Sequence, residues 1–329
     1  MLIEVCYTCN ENCIHCCLSN HAKYGMTLKQ YECLFDQLVE AGVFFIILTG
    51  GEPFTRHDFM KIVEAARKRR LSVTIFTNGT LLTENDIKWL KKLYVQEIHI
   101  SIYSADPETH DNITRIRGSF QRSVENIKRL TNGGVSVKIK CPLMNTTVSG
   151  KDRIKKLAQN LGVKIQFTIV ITAKDNGDNS TLKFRLTKDQ LKEVLIDPDI
   201  NSQSKKPIYF QNNLECIPCD TVLNGGSIDP YGDVYPCNQF QVKAGNVLES
   251  SFEEIWRNSL GLKELRNIRL RDLYECKGCD LFQFCTRCPG LALLEDKDLR
   301  GCSSAAKKVA EARKELKIYP TQSHIFSKI

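Results

Sequence analysis

The sequence predicts an α/β protein in which six strand–helix units form a parallel sheet shaped as an open or partial barrel, followed by a small, loop-rich segment dense in cysteine. Three observations carry this expectation. Apolar, β-branched runs alternate with helical stretches as far as Ile196, polar residues gather just after several of those runs, and the 15 cysteines bunch at the two ends of the 329-residue chain. Strands alternating with helices imply parallel pairing through crossover connections. In such folds the active face lies at the strand C-termini.

The strand candidates, in order, are Leu2–Tyr7, Phe44–Leu48, Ser72–Phe76, Glu97–Ile102, Val135–Lys140 and Lys164–Ile171. Each is short and apolar or β-branched, which suits a pleated, buried surface. Helical patterning follows at about 28–41, 57–70, 83–93, 119–131, 150–161 and 187–196. Cys9, Cys13 and Cys16 come after the first strand. Thr49-Gly50-Gly51-Glu52-Pro53 ends the second, Thr77-Asn78-Gly79 the third, and Ser101 and Tyr103 lie near the end of the fourth. One Gly-Gly-Pro or Asn-Gly reads as a turn. Four such endings on one face of one sheet point to a site.

Composition narrows the class. With 42% hydrophobic and 26% charged residues the chain is an ordinary globular protein. The formal charge of +8 is dispersed, as along Lys61–Arg70, so no nucleic-acid partner is expected, and an acidic peptide or anionic cofactor suits the balance better. The longest apolar run, Ala41–Leu48, is far short of the roughly 20 residues of a membrane span, and Glu4 and several cysteines stand where a signal peptide needs apolar residues. A cytoplasmic protein without a membrane partner is expected.

Cysteine is the anomaly. One group holds Cys6, Cys9, Cys13, Cys16 and Cys17; the other holds Cys216, Cys219, Cys237, Cys276, Cys279, Cys285, Cys288 and Cys302. Cys33 and Cys141 stand apart and read as small buried hydrophobes. Cys6 and Cys17 flank the others and read as packing residues or incidental neighbours rather than functional thiols. Disulfides suit a reducing compartment poorly. Zinc fits the paired Cys-x2-Cys spacings at Cys6/Cys9, Cys13/Cys16, Cys276/Cys279 and Cys285/Cys288, and iron–sulfur clusters fit as well. The six histidines form no metal-binding pair, and no catalytic residue is assigned.

The segment Cys9-Asn-Glu-Asn-Cys13-Ile-His15-Cys16 resembles the CxxxCxφC motif of radical S-adenosylmethionine (SAM) enzymes, with His15 at the aromatic position, and Gly50-Gly51-Glu52-Pro53 resembles their GGEP motif. The resemblance implies a partial (βα)6 TIM-like barrel. It also implies a [4Fe–4S] cluster on Cys9, Cys13 and Cys16 whose fourth iron, open to a non-protein ligand, takes the amino and carboxylate groups of SAM. Reduction then cleaves SAM to methionine and a 5′-deoxyadenosyl radical that removes a hydrogen atom from substrate. The implied SAM contacts are Gly50 and Gly51, whose backbone permits close approach, Glu52 on the ammonium, Asn78, and Ser101 on the ribose. The stretch His110–Phe120 resembles the following family motif with Thr114 where relatives carry arginine, so Arg115 is the candidate for the SAM carboxylate.

The C-terminal cysteines resemble the SPASM extension of peptide-modifying members of that family. The setting Ile228-Asp-Pro-Tyr-Gly-Asp-Val-Tyr-Pro-Cys237 matches, as do Gly245-Asn246-Val247 and Phe252-Glu-Glu-Ile255-Trp256. Carried over by position, Cys216, Cys219, Cys237 and Cys288 hold one auxiliary [4Fe–4S] cluster, while Cys276, Cys279, Cys285 and Cys302 hold another. Without Cys216, the first would keep an open iron. The implied organisation is a radical SAM barrel at 1–172, a bridging region at 173–213, the SPASM domain at 214–302, and a C-terminal helix and tail at 303–329.

The resemblance implies a peptide substrate and an electron donor such as flavodoxin or ferredoxin. Asn238 follows Cys237 where the sulfatase-maturing branch places an aspartate base, and an amide cannot take a proton, so formylglycine formation is disfavoured. A thioether or carbon–carbon cross-link in a ribosomally made peptide is the expectation. Only eight residues precede Cys9, so either a separate protein holds a leader peptide, the barrel itself does, or the substrate is no leader peptide. The competing readings are oxidation of a small metabolite or tetrapyrrole side chain and, from another class, a zinc-stabilised peptide-binding protein.

Overall fold

The structure, a computed structural model, describes residues 1–20, 25–200 and 214–320. Parts of the expected bridging region (201–213) and tail (321–329) lie outside the described residues. Six parallel strands, β1 (Leu2–Cys6), β2 (Phe45–Gly50), β3 (Ser72–Thr77), β4 (Glu97–Ser101), β5 (Val137–Pro142) and β6 (Lys164–Thr168), lie side by side in sequence order. Each strand being laid beside the last without a reversal of direction is the winding of a barrel rather than of a doubly wound sheet. β6 and β1 are the two far ends of this parallel run and do not meet, so the barrel is open.

Helices α1 (Leu28–Glu40), α2 (Phe59–Lys68), α3 (Glu84–Lys92), α4 (Pro107–Thr114), α5 (Ser119–Asn132) and α6 (Lys151–Asn160) cover the outer face. α1 shows how the sequence sets such an element. Thr27 caps it in a reciprocal box with Gln30, and Tyr31, Leu34, Phe35 and Leu38 form its buried stripe. Cys33 falls off that stripe and is exposed, a correction to the expectation of a buried thiol; Cys141, on the helix-facing side of β5, is buried as expected. α4 is an addition to the expected helices, capped by Asp106 with Pro107 in its first turn.

The C-terminal segment does not stand apart from the barrel core. A short strand β7 (Ser227–Ile228) pairs parallel with β1, and β8 (Asp233–Tyr235) and β9 (Gly245–Asn246) add antiparallel, giving one nine-stranded sheet in the order β6-β5-β4-β3-β2-β1-β7-β8-β9. Asp229 accepts the N–H groups of Tyr231 (2.8 Å) and Asp233 (2.9 Å) and closes the β7–β8 turn, with Gly232 at φ +90°. Ile228, Val234 and Phe252 pack in the same core as Ile3 and Val5.

Helix α7 (Lys188–Leu195) of the bridging region packs against α12 (Ser304–Leu316), the last described helix, through Leu191, Val194, Leu195, Val309 and Ala312. Between them in sequence come α8 (Thr221–Asn224), α9 (Phe252–Asn258), α10 (Leu260–Asn267) and α11 (Pro289–Asp296). Glu295 of α11 holds Arg185 through both carboxylate oxygens at 2.6 and 2.7 Å and accepts the Ala173 N–H at 3.0 Å. Among the described residues no helix is long and apolar enough to cross a membrane.

Candidate cluster and cofactor site

Cys9, Cys13 and Cys16 lie on the loop that leaves the C-terminal end of β1. Two backbone bonds dock this loop on the end of α4: Asn12 N–H donates to the Thr114 carbonyl and Ile14 N–H to the Ile113 carbonyl, both at 3.0 Å. The three thiols lie within Coulombic reach of one another. Burial is the first cause that pushes Cys9 up to about 12 and Cys13 well above its ordinary value, and the Cys16 charge adds to both. Metal binding must therefore displace protons from these thiols. The Cys13 thiol also meets Glu11 Oε2 at 3.4 Å and the Tyr103 hydroxyl at 3.8 Å. His15 packs edge-on against Tyr103 at 4.6 Å; burial lowers it to about 4, and its buried Nδ1 has no partner among the described residues.

Gly50 and Gly51 are needed by the chain itself. A Cβ on Gly50, at φ +139°, would lie 2.1 Å from the Cys6 carbonyl, and one on Gly51 would lie 2.4 Å from the Thr8 carbonyl. The Gly51 and Glu52 N–H groups donate to those two carbonyls at 2.8 Å, so the end of β2 is zipped to the start of the cysteine loop. Glu52, expected on the SAM ammonium, is turned inward with 0% exposure. Its carboxylate accepts from Thr77 Oγ1 (2.7 and 2.9 Å), Asn78 N–H (2.7 Å) and Phe54 N–H (3.0 Å). Burial pushes it up to about 7, against the pull of those donors.

The other expected SAM contacts fall in three places. Asn78 is buried; its amide donates to Asn10 Oδ1 at 2.8 Å and accepts from the Thr80 N–H at 2.9 Å, which ties β3 to the cysteine loop. Ser101, half-buried, ends β4 and bonds the Tyr103 hydroxyl. Arg115 is exposed and caps α4 in the left-handed conformation at φ +60°. Thr114 beside it has 0% exposure and its hydroxyl meets Ser119 Oγ at 2.7 Å, so an arginine side chain has no room there. Asp111 fixes this corner. Burial opposes its charge, but the Phe120 and Gly118 N–H groups and the Ser119 hydroxyl hold it below the usual carboxylate range.

Parallel strands covered on both faces are usually apolar throughout. Here the face of the sheet away from the helices carries Glu4, Thr74, Glu97, Ser101, Lys138, Lys140 and Gln166, all half-buried, beside buried His99. His99 stacks on Phe76 at 4.7 Å and bonds Glu97, which also pairs with Lys138 at 2.7 Å. The inner face of the barrel sheet is thus polar rather than apolar.

The C-terminal thiols form two neighbourhoods. Cys285, half-buried and pushed up to about 12 by that burial, feels the charges of Cys276, Cys302 and Cys279. Cys237, likewise pushed up to about 12 by burial, feels Cys288 and Cys219. The first brings together Cys276, Cys279, Cys285 and Cys302, the second Cys219, Cys237 and Cys288, and Cys216 is in neither. That residue packs with Cys237 and Cys276 against the small apolar cluster around Leu270 and Leu273. Among the described residues no three His, Cys, Asp or Glu side chains are disposed to hold a single metal ion.

Comparison with known proteins agrees with this geometry. The sequence model of the radical SAM superfamily matches residues 3–178, and that of the SPASM iron–sulfur cluster-binding domain matches residues 216–289. The chain is 28% identical to an AdoMet-dependent heme synthase from Methanosarcina barkeri, over 87% of this chain and 89% of that protein. It is 28% identical to the mycofactocin maturase MftC of Mycobacterium tuberculosis, over 86% and 75%. The crystal structure of Streptococcus suis SuiB bound to its precursor peptide SuiA shares the fold, with a TM-score of 0.70 at 18% identity, covering 93% of this chain and 75% of that one.

Proposed function

The chain belongs to the radical SAM superfamily, and from that premise we propose that it oxidises a ribosomally made peptide, joining two of its residues by a thioether or carbon–carbon cross-link. It is an enzyme of [4Fe–4S] clusters and SAM. Together these supply the 5′-deoxyadenosyl radical that takes a hydrogen atom from substrate. In this reading Cys9, Cys13 and Cys16 hold the SAM-binding cluster. Gly50, Gly51, Glu52 and Asn78 shape the edge of its site from beneath, and Ser101 and Arg115 lie at its rim. Joining the two residues removes two hydrogens: one would leave as a hydrogen atom with 5′-deoxyadenosine, and the other as a proton, with its electron going to an auxiliary cluster that Cys276, Cys279, Cys285 and Cys302, or Cys219, Cys237 and Cys288 with Cys216, would hold.

The observation that carries the reading is the pairing of one three-thiol loop after β1 with two further thiol neighbourhoods in the C-terminal segment, whose short strands β7–β9 extend the barrel's own sheet. An electron acceptor fixed beside a radical-generating site is what a net two-electron oxidation needs. The polar interior is consistent with an extended peptide, whose amide groups require hydrogen-bond partners once water is excluded. An external donor such as flavodoxin or ferredoxin would reduce the SAM-binding cluster, and a separate protein could present a leader. The test is co-expression with a short precursor peptide encoded nearby. Loss of two hydrogens, with fragments missing between the joined residues, supports the proposal; an unchanged peptide mass with active, cluster-loaded enzyme overturns it. The likeness to heme synthases favours one second reading, oxidation of a tetrapyrrole side chain, for which the same assay with a porphyrin substrate decides.

A further inference from the structure

Arg313, on α12 beyond the matched iron–sulfur domain, is among the most deeply buried large side chains, with 2% exposure. A guanidinium so placed ordinarily has a carboxylate against it, because a buried charge without a partner is strongly unfavourable. Arg313 has none among the described residues. Its Nη1 donates to the Phe284 carbonyl and to Thr286 Oγ1, both at 3.3 Å, and its Nε is buried without a partner. The two acceptors flank Cys285 in sequence, and burial, set against the pull of the Cys285 thiolate, lowers Arg313 to about 10.

A second arginine repeats the arrangement. Arg287 gives its Nε and Nη2 to the carbonyls of Leu299 and Gly301, the latter adjoining Cys302, while its Nη1 is buried without a partner. Cys276 feels its charge. Two cations with stranded N–H groups, bonded among the described residues to neutral oxygens alone, thus face the same thiol neighbourhood.

We propose that Arg313, seconded by Arg287, is the counter-charge of the iron–sulfur cluster held by Cys276, Cys279, Cys285 and Cys302, and raises its reduction potential so that it can accept an electron from substrate. This rests on the cluster assignment above. Four thiolates make the loaded cluster anionic, and reduction adds one more negative charge, so a fixed cation stabilises the reduced form more than the oxidised one. Arg313 is a positioning and tuning residue in this account, without contact to substrate.

The test uses full-length protein carrying Cys9→Ala, Cys13→Ala and Cys16→Ala, reconstituted anaerobically so that only the C-terminal clusters remain, and titrated by EPR-monitored reduction. Arg313→Gln should shift one of the two couples to more negative potential by about tenfold in its reduction equilibrium, which is about 59 mV for one electron, while Arg313→Lys stays near the parent. Loss of that cluster in the glutamine variant but not in the lysine variant supports the same conclusion. An unmoved potential in iron-replete Arg313→Gln overturns the proposal, as does equal cluster loss in both variants, which would mark a requirement for shape rather than charge. If the parent itself holds about 4 Fe rather than about 8, the cluster assignment fails instead.

Discussion

Glu52 at the end of β2 and Thr77 at the end of β3 are bound through both carboxylate oxygens, at 2.7 and 2.9 Å from the one hydroxyl. The same carboxylate takes two backbone N–H groups, so it serves as the clasp that keeps the ends of two strands and the cysteine loop in register. Glu52→Ala would strand those buried donors at about 1–3 kcal/mol each. It should lower the denaturation midpoint of the protein as well as its affinity for SAM and its iron content. A variant of wild-type stability and full iron content that lost only SAM affinity would instead mean that the carboxylate faces the ligand.

Arg185 and Glu295 lock the bridging region to α11, with side-chain exposures of only 11% and 2%. Breaking one side of such a pair leaves a charge buried alone, so Arg185→Met or Glu295→Leu should destabilise by about 3–5 kcal/mol in denaturant titrations. The double variant should recover much of that loss. Simple additivity of the two single effects would argue against a direct coupling.

His110 gives a pH dependence with a defined sign. It has 1% exposure, its Nδ1 accepts the Tyr103 N–H at 3.2 Å, and burial lowers it from 6.5 to about 4. A depressed value in the folded state means a contribution that is present above about pH 6.5 and lost as pH falls toward about 4, where the folded protein also takes the proton. Between pH 7 and pH 5 this one group should remove about 2 kcal/mol. His110→Asn, which keeps an acceptor without a titrating ring, should show a shallower loss of urea midpoint over that range. Equal slopes would remove His110 from the account.

Much of this architecture could be read from residues close in sequence. The six parallel strands announced themselves by β-branched runs, and the thiol groups by their spacing. What stayed hidden depends on partners far along the chain. β7 is two residues long and carries no periodicity, so its pairing with β1 leaves no local signal. The inward turn of Glu52 depends on Thr77 and Asn78, and the link between Asn10 and Asn78 spans 68 positions. Arg313 looked like one more helical cation in the sequence Lys-Val-Ala-Glu-Ala-Arg, and only its packing beside Cys285 sets it apart.

The most direct test of the central claim is anaerobic incubation of reconstituted protein with SAM and dithionite, following 5′-deoxyadenosine by chromatography and mass spectrometry beside an iron and sulfide count. Wild-type protein should carry about 12 Fe and form 5′-deoxyadenosine, whereas the variant lacking Cys9, Cys13 and Cys16 should keep about 8 Fe and form none. A wild-type protein with its full iron complement that leaves SAM intact, or a variant without the three cysteines that still cleaves it, would contradict the account.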